Sequence, residues 1–291
     1  MALNLTGLTA YVDEQRLPLI KKAVIGGRTL DYINLQAGIK GSAAINLLDI
    51  NPTLQKGSCG FNAAGDAKFS QRKISTELMK VNMEFCEKDF RNYWTNYELK
   101  LGAGKETLPF EEYITNGVIE GVHAETERTI WVGDKSKSDM FDGFVTVLEN
   151  EGRNKASTAT SVYDAIKDVY AEIPVAVLKD AVIFVGADTF RTFALELAEK
   201  NLYHYSADNT NMELILPATN VKVIAMNGLN GSGKIIACNP MNLFYGCDML
   251  DDEETFDLFY SKDNQVWRLV VNFNAGVQVA YPNEVVMHTI D

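Results

Sequence analysis

Three stretches of this 291-residue chain predict a mixed fold of the α+β class. Phe110, Tyr113, Ile114, Gly117, Val118, Gly121, Val122 and Ile130 recur at helical spacing, which predicts one long helix over 109–134. "AVIFVGADTFRTFALELAEKN" (181–201) reads as a short buried strand running into a helix. Trp267, Leu269, Val271, Phe273, Ala275, Val277, Val279 and Tyr281 keep one phase over fifteen residues, opposite Arg268, Asn272, Asn274 and Gln278. That alternation predicts a long strand of an antiparallel sheet with one face buried throughout.

In chain order, 1–52 holds a short amphipathic helix around 12–24, then a stretch punctuated by Gly26, Gly27, Gly38 and Gly41. This predicts an extended arm. "GSCGFNAAGDAKFSQRKISTELMKVNMEFCEKDF" (57–90) reads as a long hairpin, with 62–66 as its turn and Met79, Val81, Met83 and Phe85 alternating with polar residues. A two-stranded hairpin of this length is marginal alone, so it must lie on the rest of the fold or on another subunit. After a break at Gly102 and Gly104, Pro109 suits the first turn of the long helix, and Glu111 and Glu112 suit the positive end of its dipole.

The linker-like "NEGRNKAST" (150–158) precedes Ser161 and Asp164, which resemble a capping box. Val162, Ile166, Val169, Tyr170 and Ile173 then form a helical stripe that Pro174 ends. Asp188 is the expected cap of the next helix. After a polar turn at 208–211, "ELILPATNVKVIAM" (213–226) and "KIIACNPMNLFYGCDM" (234–249) read as strands.

A chain of this length with 46% hydrophobic residues can bury one large core or two modest ones. With 39 acidic against 27 basic residues the net charge is -12, which opposes tight binding of nucleic acid. Cys59, Cys86, Cys238 and Cys247 form no C-x-x-C pair, as expected of a chain made in a reducing compartment. Asp13, Glu14, Gln15 and Arg16 interrupt any secretory signal, and no apolar run approaches the roughly 18 residues of a membrane span.

Chemistry-bearing patterns are weak. His123, His204 and His288 are isolated, and although His123 stands near Glu120, Glu125 and Glu127, a solvated helix face is the better reading than a metal site. Asp248, Asp251, Asp252, Glu253 and Glu254 lack the spacing and glycine of a calcium loop and read as a solvated turn or helix start. Asp139 with Asp142, and Glu111 with Glu112, have no pocket in sequence to separate their pKa values. No G-x-S-x-G elbow is present, and a dinucleotide fingerprint fails because Gly186 stands without the other glycines.

"MNGLNGSGKIIACNP" (226–240) has phosphate-loop spacing from Gly228 to Lys234, but Ile235 stands where a Mg²⁺-ligating Ser or Thr is needed. The residues that follow alternate like a strand, and Pro240 blocks a helix. Asn227-Gly228 and Asn230-Gly231 suit a hairpin turn, with Gly231 and Gly233 giving freedom and Lys234 left as a surface or intersubunit charge. No cofactor, metal or catalytic residue is expected, and the chain does not read as an enzyme.

The order of these pieces resembles the major capsid protein of tailed bacteriophages, the Hong Kong 97-type fold that encapsulin nanocompartments share. The resemblance rests on the helix ending "ERTIWVGD", the strand and helix of 181–201, the strands with "KIIACNPMNLFYGCDM", and the terminal "WRLVVNFNAGVQVAYPNEVVMHTID" with Arg268 and Pro282. Together they cover most of 55–291. The resemblance implies an N-terminal arm (1–56), an extended hairpin loop (57–89), a peripheral domain (90–155) with a spine helix over 109–134, an axial domain (156–249), and a return to the peripheral domain (250–291). It implies that the loop meets a neighbouring subunit through Phe61, Phe69, Arg72, Lys73, Met79 and Met83, and that Asn227, Gly228, Gly231, Gly233 and Lys234 form an axial-domain turn.

What the resemblance implies of function is assembly: hexamers and pentamers forming the icosahedral head of a virion, built in the host bacterial cytoplasm and enclosing DNA without reading its sequence. Portal and decoration proteins would be partners. With no heptads before the hairpin, the assembly domain that some members cleave is not expected, and a separate scaffolding protein is. The Lys-to-Asn crosslinks of some members find no residue-by-residue match. An encapsulin-type cellular compartment is the alternative, and a phosphate-loop nucleotide-binding enzyme a remote one.

Overall fold

The computed structural model describes residues 27–57, 59–61, 63–86, 110–138, 141–202, 212–248, 255–264 and 266–290. The expected helix at 12–24, the break at Gly102 and Gly104, Pro109, Asp139, His204, the turn at 208–211 and the acidic residues 251–254 lie outside them, as do the side chains of Glu111 and Glu112.

The alternation in the last quarter of the chain forms β12 (Val266–Val279), the longest strand described. Its odd-numbered side chains from Trp267 to Val279 are buried, as the sequence pattern requires. β12 organises a five-stranded sheet with β1 (Asn34–Ala37), β10 (Leu243–Cys247) and β11 (Thr255–Ser261), while β4 (Glu77–Phe85) pairs along its other edge. The long helix is α1 (Phe110–Val132), about 35 Å at 1.5 Å per residue. Val118, Ile119, Val122, Ile130 and Trp131 of α1 share one apolar core with Leu269, Val271 and Phe273 of β12. The short α2 (Lys135–Ser138) and α3 (Phe144–Asn150) follow, and α3 adds Phe144 and Leu148 to that core.

The second sheet has six strands in the order β5 (Asn154–Ala156), β13 (Val286–Thr289), β9 (Lys234–Cys238), β6 (Val182–Gly186), β8 (Lys222–Met226), β7 (Glu213–Ile215). Ile183, Val185, Ile235 and Ala237 face α4 (Val162–Glu172) and α5 (Ala187–Glu199) in a second core. Phe184, Ile224 and Ile236 point the other way into the first core. There the Trp131 ring lies 5.2 Å from Phe184 and 5.4 Å from Phe144. Burial on both faces explains the unbroken apolar run "AVIFV".

Ser161 caps α4 as expected, accepting from the Asp164 N–H. At α5 the expectation fails, because Gly186 occupies the N-cap position without a side chain to offer. Asn230 supplies the missing acceptor from a different loop, its Oδ1 taking the Ala187 N–H at 2.6 Å.

Strand pairing also departs from the expected hairpin over 57–89. Residues of β3 (Gly65–Ser75) pair back with β2 (Ser42–Pro52), from Ser42 opposite Ser75 to Pro52 opposite Gly65. Those of β4 instead pair with β12, setting Met79, Val81, Met83 and Phe85 opposite Phe273, Val271, Leu269 and Trp267. The reason is burial: β4's alternating apolar side chains complete an apolar sheet face, which the polar β3 could not do. The sheets also exchange strands across the expected unit boundaries. β10 joins the five-stranded sheet, and β13 leaves β12 to pair with β9 and β5.

Candidate assembly surfaces

The β2–β3 ribbon is the one pair of strands, among the described residues, that stands apart from both sheets. Eleven residues in each strand give it a length of about 35 Å. Its root is fixed. Ile45, Leu47 and Ile74 pack with Ile39 and Ala280 in a small core of their own. Arg72 reaches Glu151 beyond α3 at 2.6 Å, and Gln278 Nε2 donates to the Lys73 carbonyl at 2.9 Å. Gly276 is required here, since a Cβ at that position would lie 2.0 Å from the Ser75 carbonyl oxygen.

Beyond Leu47 the ribbon's side chains are exposed among the described residues, with the Leu48 N–H donating to the Tyr281 hydroxyl at 3.4 Å as the last tie to the root. Opposed residues share a face, so Leu48 with Phe69, and Ile50 with Ala67, form an apolar strip on the side away from the root core. Phe69 is 82% exposed, Ile50 57% and Leu48 47%. In the connecting loop Leu54 and Phe61 are almost fully exposed. Exposed apolar residues are ordinary when scattered, but clustering on one face of a projecting ribbon marks an interaction surface.

The expected contact residues therefore divide. Phe61, Phe69 and Lys73 lie exposed on the ribbon or its loop. Arg72 faces the root and is engaged by Glu151. Met79 is buried in the first core opposite Phe273, because β4 belongs to the sheet and not to the projection. Met83 lies on the same strand, half exposed. Sequence reasoning missed Leu48 and Ile50. Their two-residue spacing in "AAINLLDI" was the available signal.

The loop 227–234 is not a hairpin turn either. β6 lies between β8 and β9, so the loop crosses the end of β6 instead of reversing the chain. Positive φ occurs at Gly231 and Gly233, while Gly228 serves close approach: a Cβ there would sit 2.3 Å from the Glu127 carbonyl oxygen and 2.6 Å from the Trp131 ring. Lys234 does not stand free at the surface: its Nζ lies 2.6 Å from Glu149 and 2.8 Å from Thr289 Oγ1, with the side chain mostly buried. The helix terminus beside this loop is α5, and its amides are already engaged, Ala187 N–H by Asn230 and Thr189 N–H by Asp188. The other oxygen of Asp188 takes the Gly231 N–H at 2.8 Å. Burial raises the Asp188 pKa, but these backbone donors outweigh it and hold the carboxyl below its usual range. An ionised carboxylate thus already occupies amides that a phosphate would need, which opposes phosphate-loop chemistry.

Of the carboxylates expected on a solvated helix face, Glu120 and Glu125 are exposed but Glu127 is buried. It accepts from the Thr29 hydroxyl, since the segment Arg28–Asp31 lies over it. Among the described residues no three His, Cys, Asp or Glu side chains are grouped to hold a metal ion. Burial pushes the Cys238 thiol up to about 12, leaving it chemically inert.

No family model matches this sequence, and no curated protein does. Solved structures do match in fold. A chain of the satellite phage P4 procapsid, a structure that includes the size determination protein Sid, is similar over 100% of this chain and 98% of its own, with TM-score 0.65 and 12% identity. A capsid chain of an empty GTA particle is similar over 92% and 90%, with TM-score 0.60 and 9% identity. A virus-like particle from Pyrococcus furiosus is similar over 94% and 98%, with TM-score 0.54 and 11% identity. The chain has the fold of these shell proteins, the Hong Kong 97-type capsid fold.

Proposed function

We propose that this chain is the structural subunit of an icosahedral phage head. It assembles into hexamers and pentamers, and the resulting shell encloses the viral genome without sequence-specific contacts. The observation that carries the reading is the β2–β3 ribbon, fixed at its root and apolar at its uncovered tip, on a fold shared with capsid chains over nearly their whole length. A ribbon of this kind docks on a neighbouring copy by burying Leu48, Ile50 and Phe69 and by offering backbone groups along its edges. In this reading 42–75 is the extended loop, the β12 sheet with α1 is the peripheral domain and its spine, and the six-stranded sheet with α4 and α5 is the axial domain. A scaffolding protein, a portal and decoration proteins are its partners, the host bacterial cytoplasm its site of assembly and the virion its final location.

A second reading, a cellular compartment of the encapsulin type, rests on the same fold, which the virus-like particle from Pyrococcus furiosus also has. Electron microscopy of the expressed chain, alone and with proteins encoded beside it, tests both. Closed shells, rings or capsomers are expected, and a monomer under every condition overturns both readings. Particles from the native source that contain DNA support the phage head, whereas particles filled with an enzyme support the compartment.

A further inference from the structure

The segment 28–33 joins the two cores without belonging to either sheet. On one side Trp131 Nε1–H donates to Thr29 Oγ1 at 2.8 Å, and the Thr29 hydroxyl donates to Glu127 Oε1 at 3.0 Å. Thr29 is fully buried, and Gly27, Thr29 and Leu30 close a small cavity against His123, Thr126, Glu127 and Ile130. On the other side the Tyr32 hydroxyl donates to Glu213 at the edge strand β7, and Arg28 Nη2 donates to the Met212 carbonyl at 3.4 Å. The Tyr32 ring meets Phe184 edge-on between them, at 6.4 Å. Two carboxylates on two different elements thus hold one short strap.

We infer that this segment is a proton-sensitive strap whose grip on α1 tightens when Glu127 takes up a proton, and whose grip on β7 fails only when Glu213 does. The two sites differ in their surroundings. Glu127 is enclosed, facing Arg28 and Asp31 from the strap and His123 one turn earlier on α1, while Met226 of β8 meets Thr29 and Gly228 of the following turn packs against the Glu127 backbone. Burial raises its pKa, and the Thr29 hydroxyl and Arg28 offset that only in part. Glu213 faces Tyr32 and Arg28 from the strap and Lys222 from β8. The Tyr32 hydroxyl, against a smaller effect of burial, holds the Glu213 pKa below its usual range.

Because docking raises the Glu127 pKa, its contribution is fully present below the ordinary glutamate value and is lost as pH rises through the raised one. Because docking lowers the Glu213 pKa, its contribution is present above the ordinary value and is lost as pH falls through the lowered one. Strap docking is therefore most stable near the ordinary glutamate pKa and weaker on both sides.

The test is amide hydrogen exchange on the full-length chain from about pH 3 to 7.5, corrected for intrinsic exchange, reading Leu30, Tyr32 and Ile33, whose N–H groups donate within the strap. Protection should peak between pH about 4 and 5 and decline toward neutrality, by no more than about tenfold per pH unit, the limit for one linked proton. Glu127→Gln should abolish the neutral-side decline and keep the acid-side one; Glu213→Gln should do the reverse. Thr29→Val, which removes the donor that favours ionised Glu127, should carry the neutral-side decline to higher pH. Amides of β6 and β9 report in the same experiment whether each variant is folded. A flat profile in the unaltered chain, or a neutral-side decline that survives Glu127→Gln in a folded protein, overturns the inference. This test stands on the fold alone, so its failure leaves the shell reading untouched.

Discussion

Replacing Phe69 with Ser tests the role assigned to the ribbon without touching the subunit's own core. Phe69 is 82% exposed, Ile50 57% and Leu48 47%, so most of their apolar surface is available to a partner and little of it supports the fold. Completing the burial of these three at about 1.5–3 kcal/mol per side chain makes the strip worth roughly 3–6 kcal/mol per docked ribbon. Phe69 alone carries about 1–2.5 kcal/mol of that, a loss of roughly tenfold or more in each contact's association constant. Every subunit in a shell repeats the contact, so the loss recurs across the particle. Thermal unfolding of the isolated subunit should change little, because an exposed Phe leaves no cavity when it is removed. Sedimentation and light scattering across a concentration series should show the assembly threshold of Phe69→Ser raised by about an order of magnitude, and that of Leu48→Ser/Phe69→Ser raised further. A variant that assembles at the original threshold, with shells of the original form, refutes the assignment of this strip as a docking surface.

Other outcomes follow from the same geometry. Gly228→Ala should lower subunit stability by about 1–3 kcal/mol, because its Cβ would overlap the Glu127 carbonyl and the Trp131 ring. Gly231→Ala, in open space but at φ 69°, should cost only about 1 kcal/mol, and thermal melts that rank the two the other way would contradict the loop's packing. Isothermal titration with ATP and GTP should show no specific binding, and binding lost on Lys234→Ala would restore the phosphate-loop reading. Arg72→Ala removes a partly exposed pair with Glu151 and should cost less than about 1 kcal/mol, while amide exchange near the Ile45–Arg72 register quickens. A large drop in Tm would mean that the ribbon root is part of the main fold.

Periodicity located the elements well wherever one face of an element decided its burial. The long helix expected over 109–134 is Phe110–Val132, and the alternating strand expected from Trp267 onward is Val266–Val279. Pairing was harder to read, since a strand's alternation states which face is buried and not which strand lies beside it. The residues of β4 carry the same alternation whether they pair with β3 or with β12, and only the apolar face of β12, almost two hundred residues away, decides between them. The loop 227–234 misled for a related reason. Its glycines suit a tight reversal, but one of them, Gly228, answers to the bulk of Trp131 on a distant helix. Asn230 likewise acts as the cap of α5, a role that follows from where β6 ends and not from any local motif. Glu127, read as solvated, is buried by a segment a hundred residues earlier in the chain.

The free ribbon is held mainly from within the subunit. Its outer part, about ten residues from 48–52 and 65–69, adds no buried side chain to a core, and if it were disordered in the free subunit, fixing its backbone would cost roughly 10–20 kcal/mol. The apolar strip supplies roughly 3–6 kcal/mol and cannot offset that. Nor does long-range charge help, since identical subunits of net charge -12 repel one another. Most of that cost falls instead to the eleven opposed pairs of the ribbon's own ladder and to the root core of Ile39, Ile45, Leu47, Ile74 and Ala280, none of which needs a partner. A preformed ribbon loses little further entropy on docking, which is what allows so small a strip to make a useful contact. Substitutions in the root, such as Ile74→Ala, should therefore weaken assembly as much as substitutions in the tip, although Ile74 is fully buried and meets no partner.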